Sequence, residues 1–244
     1  MTEASRRAIG FLLSVVLLVA WFSLLALDLL TIGIIDHSWL FAVPLVLLQC
    51  WLNVGLFIVA HDAMHGTLVP GLPAMNTAIG RICLFLYAGF SFDRLRTMHF
   101  LHHRHAGTAA DPDFDAIAPR QFLPWFSRFF RHYFGPWQFL SLAAASVVLL
   151  GVGVPLWRLL LFWALPAQLS AVQLFTFGTY LPHRHEARGF ADRHNARSQD
   201  FPPLLSLLTC FHFGYHHEHH LRPDVPWWGL PRLRARLRAA GGQG

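Results

Sequence analysis

The sequence predicts an all-α integral membrane protein: four transmembrane helices with a helical cap on one side, and in that cap a histidine-rich site for two metal ions. Three observations predict it. Hydrophobic residues make up 55% of the 244-residue chain and charged ones 13%, where a soluble domain carries about 25% charged residues. Four apolar stretches reach or approach the roughly 20 residues that a helix needs to cross a bilayer. Histidine occurs 16 times, against 13 carboxylates, and most of these histidines cluster outside the apolar stretches. The apolar content excludes a disordered chain. The formal charge of +6 is carried entirely by thinly spread Arg, which argues against a nucleic-acid partner. Cys50, Cys83 and Cys210 are too far apart, and odd in number, to form a disulfide framework.

Residues 8–30 form the first predicted span. Its apolar run exceeds the ~7–15 residues of a secretory signal, and no clean small-residue cleavage site follows, so it reads as an anchor. Residues 39–60 form the second. A shorter apolar patch, 78–92, lies between polar segments and reads as an interfacial or re-entrant helix. The third and fourth spans are 137–154 and 159–179, separated by Pro155 and Arg158. Pro182 is expected to stop the fourth and fix His183 at the membrane surface. Segments 61–136 and 180–231 are then the catalytic parts of a single domain, 1–244. Trp39, Trp137 and Trp157 fall near span ends, where indole favours the interface. Asp28 is the one charge well inside a predicted span, with no partner expected at its depth.

Eighteen of the 19 Arg lie in the N-terminus, in 61–136 or after 180; Arg158 is the exception. The positive-inside rule therefore puts both termini and the histidine clusters in the cytoplasm, in a multi-pass protein of the cytoplasmic (inner) membrane. Arg232, Arg234, Arg236 and Arg238 alternate with Leu and Ala. They read equally as an amphipathic helix on anionic lipid or as a solvated tail.

Spacing singles out the candidate ligands. His61 and His65 are an i, i+4 pair where the second span ends. His99, His102 and His103 are spaced i, i+3, i+4, and His216, His219 and His220 repeat that spacing. Each set presents its imidazoles to one helix face, as convergence on an ion about 2 Å away requires. His183 follows the fourth span. Crowding so many neutral imidazoles without a metal would carry a large desolvation cost, and eight or nine ligands exceed what one ion can use. Two ions follow, and imidazole alone suits zinc, copper, iron or nickel. His105 and His217 lie off the ligand faces. His37 falls on the opposite loop, and His132, His185 and His194 read as solvated. His212 is either a ligand or a group that orients one. Asp62 and Glu218 sit inside two clusters and are candidates to accept a ligand's second N–H. Asp111, Asp113 and Asp115 read as an Asx-rich turn.

Four strings carry a resemblance. They are His61-Asp-Ala-Met-His65-Gly, His102-His-Arg-His-Ala-Gly-Thr leading to Asp111-Pro-Asp-Phe, Phe177-Gly-Thr-Tyr-Leu-Pro-His183-Arg, and Phe211-His-Phe-Gly-Tyr-His216-His-Glu-His-His220. With Pro226-Trp-Trp and Leu230-Pro they resemble the bacterial β-carotene 4-ketolases, within the membrane di-iron desaturase and hydroxylase superfamily, over residues 50–231. The resemblance implies two Fe2+ ions on the nine histidines, O2 as co-substrate, and an electron donor such as ferredoxin with its reductase. It implies a monooxygenase that takes its carotenoid from the membrane lipids and oxidises C4 of the β-ionone ring, first to the alcohol and then through a gem-diol to the ketone. Many desaturases carry Asn two residues before the last cluster, where this chain has Gly214. The alternatives are a carotenoid 3-hydroxylase, a fatty-acyl or lipid desaturase and, from another class, a metal transporter. Transport is disfavoured because the ligands fall at span ends rather than at the bilayer midplane.

Overall fold

The computed structural model describes residues 2–30, 39–186 and 189–241, which form helices and connecting segments with no strand among them. Helices α1 (Glu3–Leu30) and α2 (Ala42–His65) pack side by side. Gly10 makes the close approach possible: a Cβ there would meet the Leu68 carbonyl oxygen at 1.7 Å. Arg7 Nε donates to the Pro70 carbonyl at 2.9 Å, so the start of α1 lies beside the end of α2. Gly66, at φ 72, ends α2 and returns its N–H to Ala63, a left-handed cap that a side chain would strain.

Helix α3 (Pro73–Ala88) lies along α2, and α4 (Phe92–His105) starts on the Ser91 cap. Helices α5 (Phe122–Tyr133) and α6 (Pro136–Gly151) meet at 77°. Helix α7 runs continuously from Leu156 to His183, and α8 (Pro203–Cys210), α9 (His216–Leu221) and α10 (Leu230–Ala239) complete the chain. The main core joins α1, α2, α3, α4 and α7 through residues such as Leu17, Trp21, Ile58, Leu84, Phe92 and Leu174. A smaller core of Leu29, Val46, Val154 and Phe162 closes the end away from the histidines.

Among the described residues three helices, α1, α2 and α7, are long and apolar enough to cross a membrane, and the α5–α6 pair makes a fourth only if its two arms count as one span. The predicted third span, 137–154, falls on α6, whose 16 residues rise only about 24 Å against a hydrocarbon core of roughly 30 Å, so α6 reaches across only together with α5. The second span is longer than expected, because α2 continues to His65 and carries the first histidine pair.

The fourth span is also longer, since Pro182 does not stop it. Helix α7 widens into π turns at Leu159–Ala164 and Thr176–Tyr180, each just before a proline, Pro166 and Pro182. A proline lacks the N–H for the carbonyl four residues back and crowds it; the wider turn relieves the crowding without breaking the rod. Phe11, Val19 and Phe22 of α1 and Phe139, Val147 and Val148 of α6 face outward, as lipid-facing positions would. Asp28 does have a partner at its depth: it is buried within electrostatic reach of Arg158, which also donates to the Leu29 carbonyl. The loop with His37 lies outside the described residues.

Candidate metal centre and its cavity

Helices α2, α4, α7 and α9 bring their histidines to one end of the bundle, in two groups. Ring nitrogens of His61, His65, His99, His103 and His219 lie within 4.8 Å of one another, and so do those of His102, His183, His216 and His220. The sequence clusters do not map one to one onto these groups. Helix α4 gives His99 and His103 to one and His102 to the other; α9 divides in the same way. The His103 and His220 rings stack at 4.3 Å and join the two.

In eight of the nine rings Nε2 atoms face each other. His65 and His99 are 2.7 Å apart, His99 and His103 3.1 Å, His103 and His219 2.9 Å, and His219 and His61 3.2 Å. In the other group, His102 to His220 is 3.2 Å and His220 to His216 3.1 Å. Two nitrogens at right angles on one ion, each about 2.1 Å from it, sit about 3 Å apart. His183 gives an independent test of fit. Its Nδ1–H donates to the Asn195 carbonyl at 2.8 Å, so the lone pair is on Nε2, a buried atom with no hydrogen-bond partner. An orphaned lone pair among three other imidazoles suits a cation.

Carboxylates set two more rings. His102 Nδ1 lies 3.0 Å from both oxygens of Asp111, which also accepts the Gly107 and Asp113 N–H groups. Burial opposes charge on His102, but the charge and hydrogen bond of Asp111 outweigh it and raise the His102 pKa. The same contact makes Nε2 a better donor to a metal. Asp62 links His61 Nδ1, at 3.2 Å, to the Trp227 N–H, at 2.9 Å. Burial, reinforced by neighbouring imidazoles, holds His99, His103, His216, His219 and His220 well below the usual imidazole range. They are neutral with lone pairs available.

Several expectations are corrected here. Glu218 meets no imidazole; it is buried with Arg234 of α10 and the Ser198 hydroxyl. The Arg-rich tail is therefore neither wholly solvated nor wholly lipid-facing, because Arg234 is drawn inside. His185 is half-buried, bonded to the Gly107 carbonyl and packed on Phe114. His194 is likewise half-buried. His212 belongs to neither group; it lies between Tyr215 and Trp227, and burial pushes it down to about 4. His217 pairs with Asp192, and His132 is exposed.

From the sequence Asp111 reads only as a turn residue. It does form that turn, with the Asp113 N–H on Oδ1, but it also orients His102. The spacing of nine residues gave no signal, because a loop sets it. Beneath the histidines lies an open, mostly apolar cavity. His61, His99, His102 and His216 border it, and Tyr87, Phe90, Phe126, Phe129 and Phe175 line it. Histidine spacing points to none of this aromatic lining. Its signal was present: Phe122, Trp125, Phe126, Phe129, Phe130 and Tyr133 recur at helical spacing and put one aromatic face on α5.

A bundle of apolar helices with histidines converging from four of them into two groups is compatible with a membrane protein that holds two metal ions. The fatty acid desaturase family model matches residues 37–145 and 136–244, and the chain belongs to that family. It is 49% identical over 228 residues to the beta-carotene ketolase of Paracoccus sp. (strain PC1), covering 91% of this chain and 90% of that one. A beta-carotene ketolase from a second Paracoccus strain is 46% identical over 96% of both chains. The zeaxanthin 4-ketolase of Chlamydomonas reinhardtii is 39% identical over 86% of this chain and 48% of its own.

Proposed function

We propose that the protein is an oxygen-dependent carotenoid ketolase that converts C4 of the β-ionone ring of β-carotene to a ketone, giving echinenone and then canthaxanthin. The observation that carries this is the aromatic cavity bordered by imidazoles of both histidine groups, in a chain whose relatives are ketolases. A long hydrocarbon has no acidic proton for side-chain acid–base chemistry, so its oxidation falls to a cofactor while the protein binds and orients.

His61, His65, His99, His103 and His219 would hold one iron, and His102, His183, His216 and His220 the other. The iron pair supplies O2 activation for cleavage of an allylic C–H bond. Each hydroxylation puts one atom of O2 into C4 and releases the other as water, drawing two electrons from a donor such as ferredoxin and two protons from solvent. A second hydroxylation at the same carbon gives a gem-diol, which loses water to the ketone. The residues of this chain fix the geometry: Asp111, Asp62 and the Asn195 carbonyl each hold one imidazole. The wall of α5 and α7 excludes water and presents the ring edge to the histidines. The Arg distribution supports a cytoplasmic-membrane protein with both termini and the metal end in the cytoplasm.

Expression in a β-carotene-accumulating host followed by pigment chromatography tests the reading. Echinenone and canthaxanthin are expected; a 3-hydroxylated pigment, or unchanged β-carotene, would overturn it.

A further inference from the structure

The cavity wall is mostly apolar, but not beside His102. There Tyr133, at the end of α5, meets Asp113, in the turn after α4, and both side chains line the cavity. The Tyr133 hydroxyl donates to Asp113 Oδ1. Asp113 Oδ2 lies 3.8 Å from His102 Nδ1, whose proton goes to Asp111.

The direction of these bonds decides what the pair can bind. With its proton committed to Asp113, the Tyr133 oxygen offers lone pairs only. A carboxylate has about four acceptor sites, and Asp113 uses few of them. The cluster therefore accepts hydrogen bonds, and a ring methylene has none to give. A plain ring laid beside the pair leaves those spare acceptor sites unfilled. A ring carrying a hydroxyl gains a charge-assisted bond.

We propose that Tyr133 and Asp113 form a subsite for a hydroxyl on the terminal ring of the substrate. This rests on the carotenoid reading above and deepens it. The hydroxyl has two sources: the alcohol that the first oxidation leaves at C4, or a hydroxyl already present at C3. In the first case the subsite holds the intermediate for its second oxidation. In the second it selects rings that arrive hydroxylated. Either way the cavity does more than tolerate an added hydroxyl, which is all that an apolar wall would do.

The test compares Tyr133→Phe with wild type in the same membranes, with β-carotene, 4-hydroxy-β-carotene and 3-hydroxy-β-carotene supplied in turn. The readout is kcat/KM for each hydroxylated ring divided by that for β-carotene, which cancels differences in folding and expression. The expected result is a fall in that ratio of about tenfold or more, carried mainly by KM. A fall with the 4-hydroxy substrate, with alcohol accumulating from β-carotene, assigns the subsite to the intermediate. A fall with the 3-hydroxy substrate alone assigns it to rings hydroxylated beforehand. Asp113→Asn, which removes the charged acceptor, should lower the same ratio. If both variants lose all three activities in parallel, or keep the wild-type ratios, the proposal is overturned. If wild type forms no ketone from β-carotene, it is instead the carotenoid reading that fails.

Discussion

Asp111 is the side chain on which the orientation of His102 depends, because it accepts the ring's Nδ1–H while two backbone N–H groups hold it. Asp111→Asn keeps the shape but removes the charge. We expect metal affinity and activity to fall about 10–100-fold, in line with other carboxylates behind metal-bound imidazoles, as measured by iron titration of the purified variant. The five histidines held well below their usual pKa also set a pH dependence. The unfolded chain binds protons at these positions below about pH 6.5, whereas the folded groups do not. Their contribution to stability is therefore complete above that pH and is lost as pH falls; protons compete with metal in the same direction. Thermal scans of the metal-free protein should show Tm dropping below about pH 6.5, and a Tm that rises from pH 7 to 5.5 would contradict this. At this scale the candidate ligands were legible because helical spacing puts them on one face. Asp111, Asp113 and Tyr133 were not, because a loop or a second helix brings them to the site.

Helix α10 anchors the last histidine cluster through a buried ion pair between Arg234 and Glu218, two residues from His216 and one from His219. Removing one partner strands the other charge. Arg234→Met is expected to destabilise the fold by about 3–5 kcal/mol and to lower metal retention, while Arg232→Ala leaves thermal unfolding almost unchanged. Gly10 offers a second element-scale test, because the Leu68 carbonyl occupies the place of its Cβ. Gly10→Val should push α1 away from the end of α2 and lower Tm by several degrees. The long elements were readable from apolar runs. Their ends were not: Pro182 reads locally as a stop, yet the π turn before it carries α7 on to His183. The aromatic face of α5 obeys a plain 3.6 period, but in a chain this apolar its pattern does not separate a cavity wall from a lipid-facing surface.

Across the whole molecule the Arg asymmetry and the gathering of all four ligand-bearing helix ends at one pole predict a single topology. A reporter fused after Gly244 should read as cytoplasmic, and a periplasmic reading would contradict it. Composition and spacing were enough to expect a helical membrane protein with a histidine-rich dimetal site. The assignment of His102 and His219 to different groups from their helix neighbours His103 and His220 needed the crossing of α4 and α9, which no spacing encodes. Nine histidines in two groups would make two separate ion sites. The most direct test is the metal-to-protein ratio of the detergent-purified chain after anaerobic reconstitution with Fe2+ and removal of excess. Two irons per chain are predicted; a ratio that saturates at one, or at none, would contradict the account.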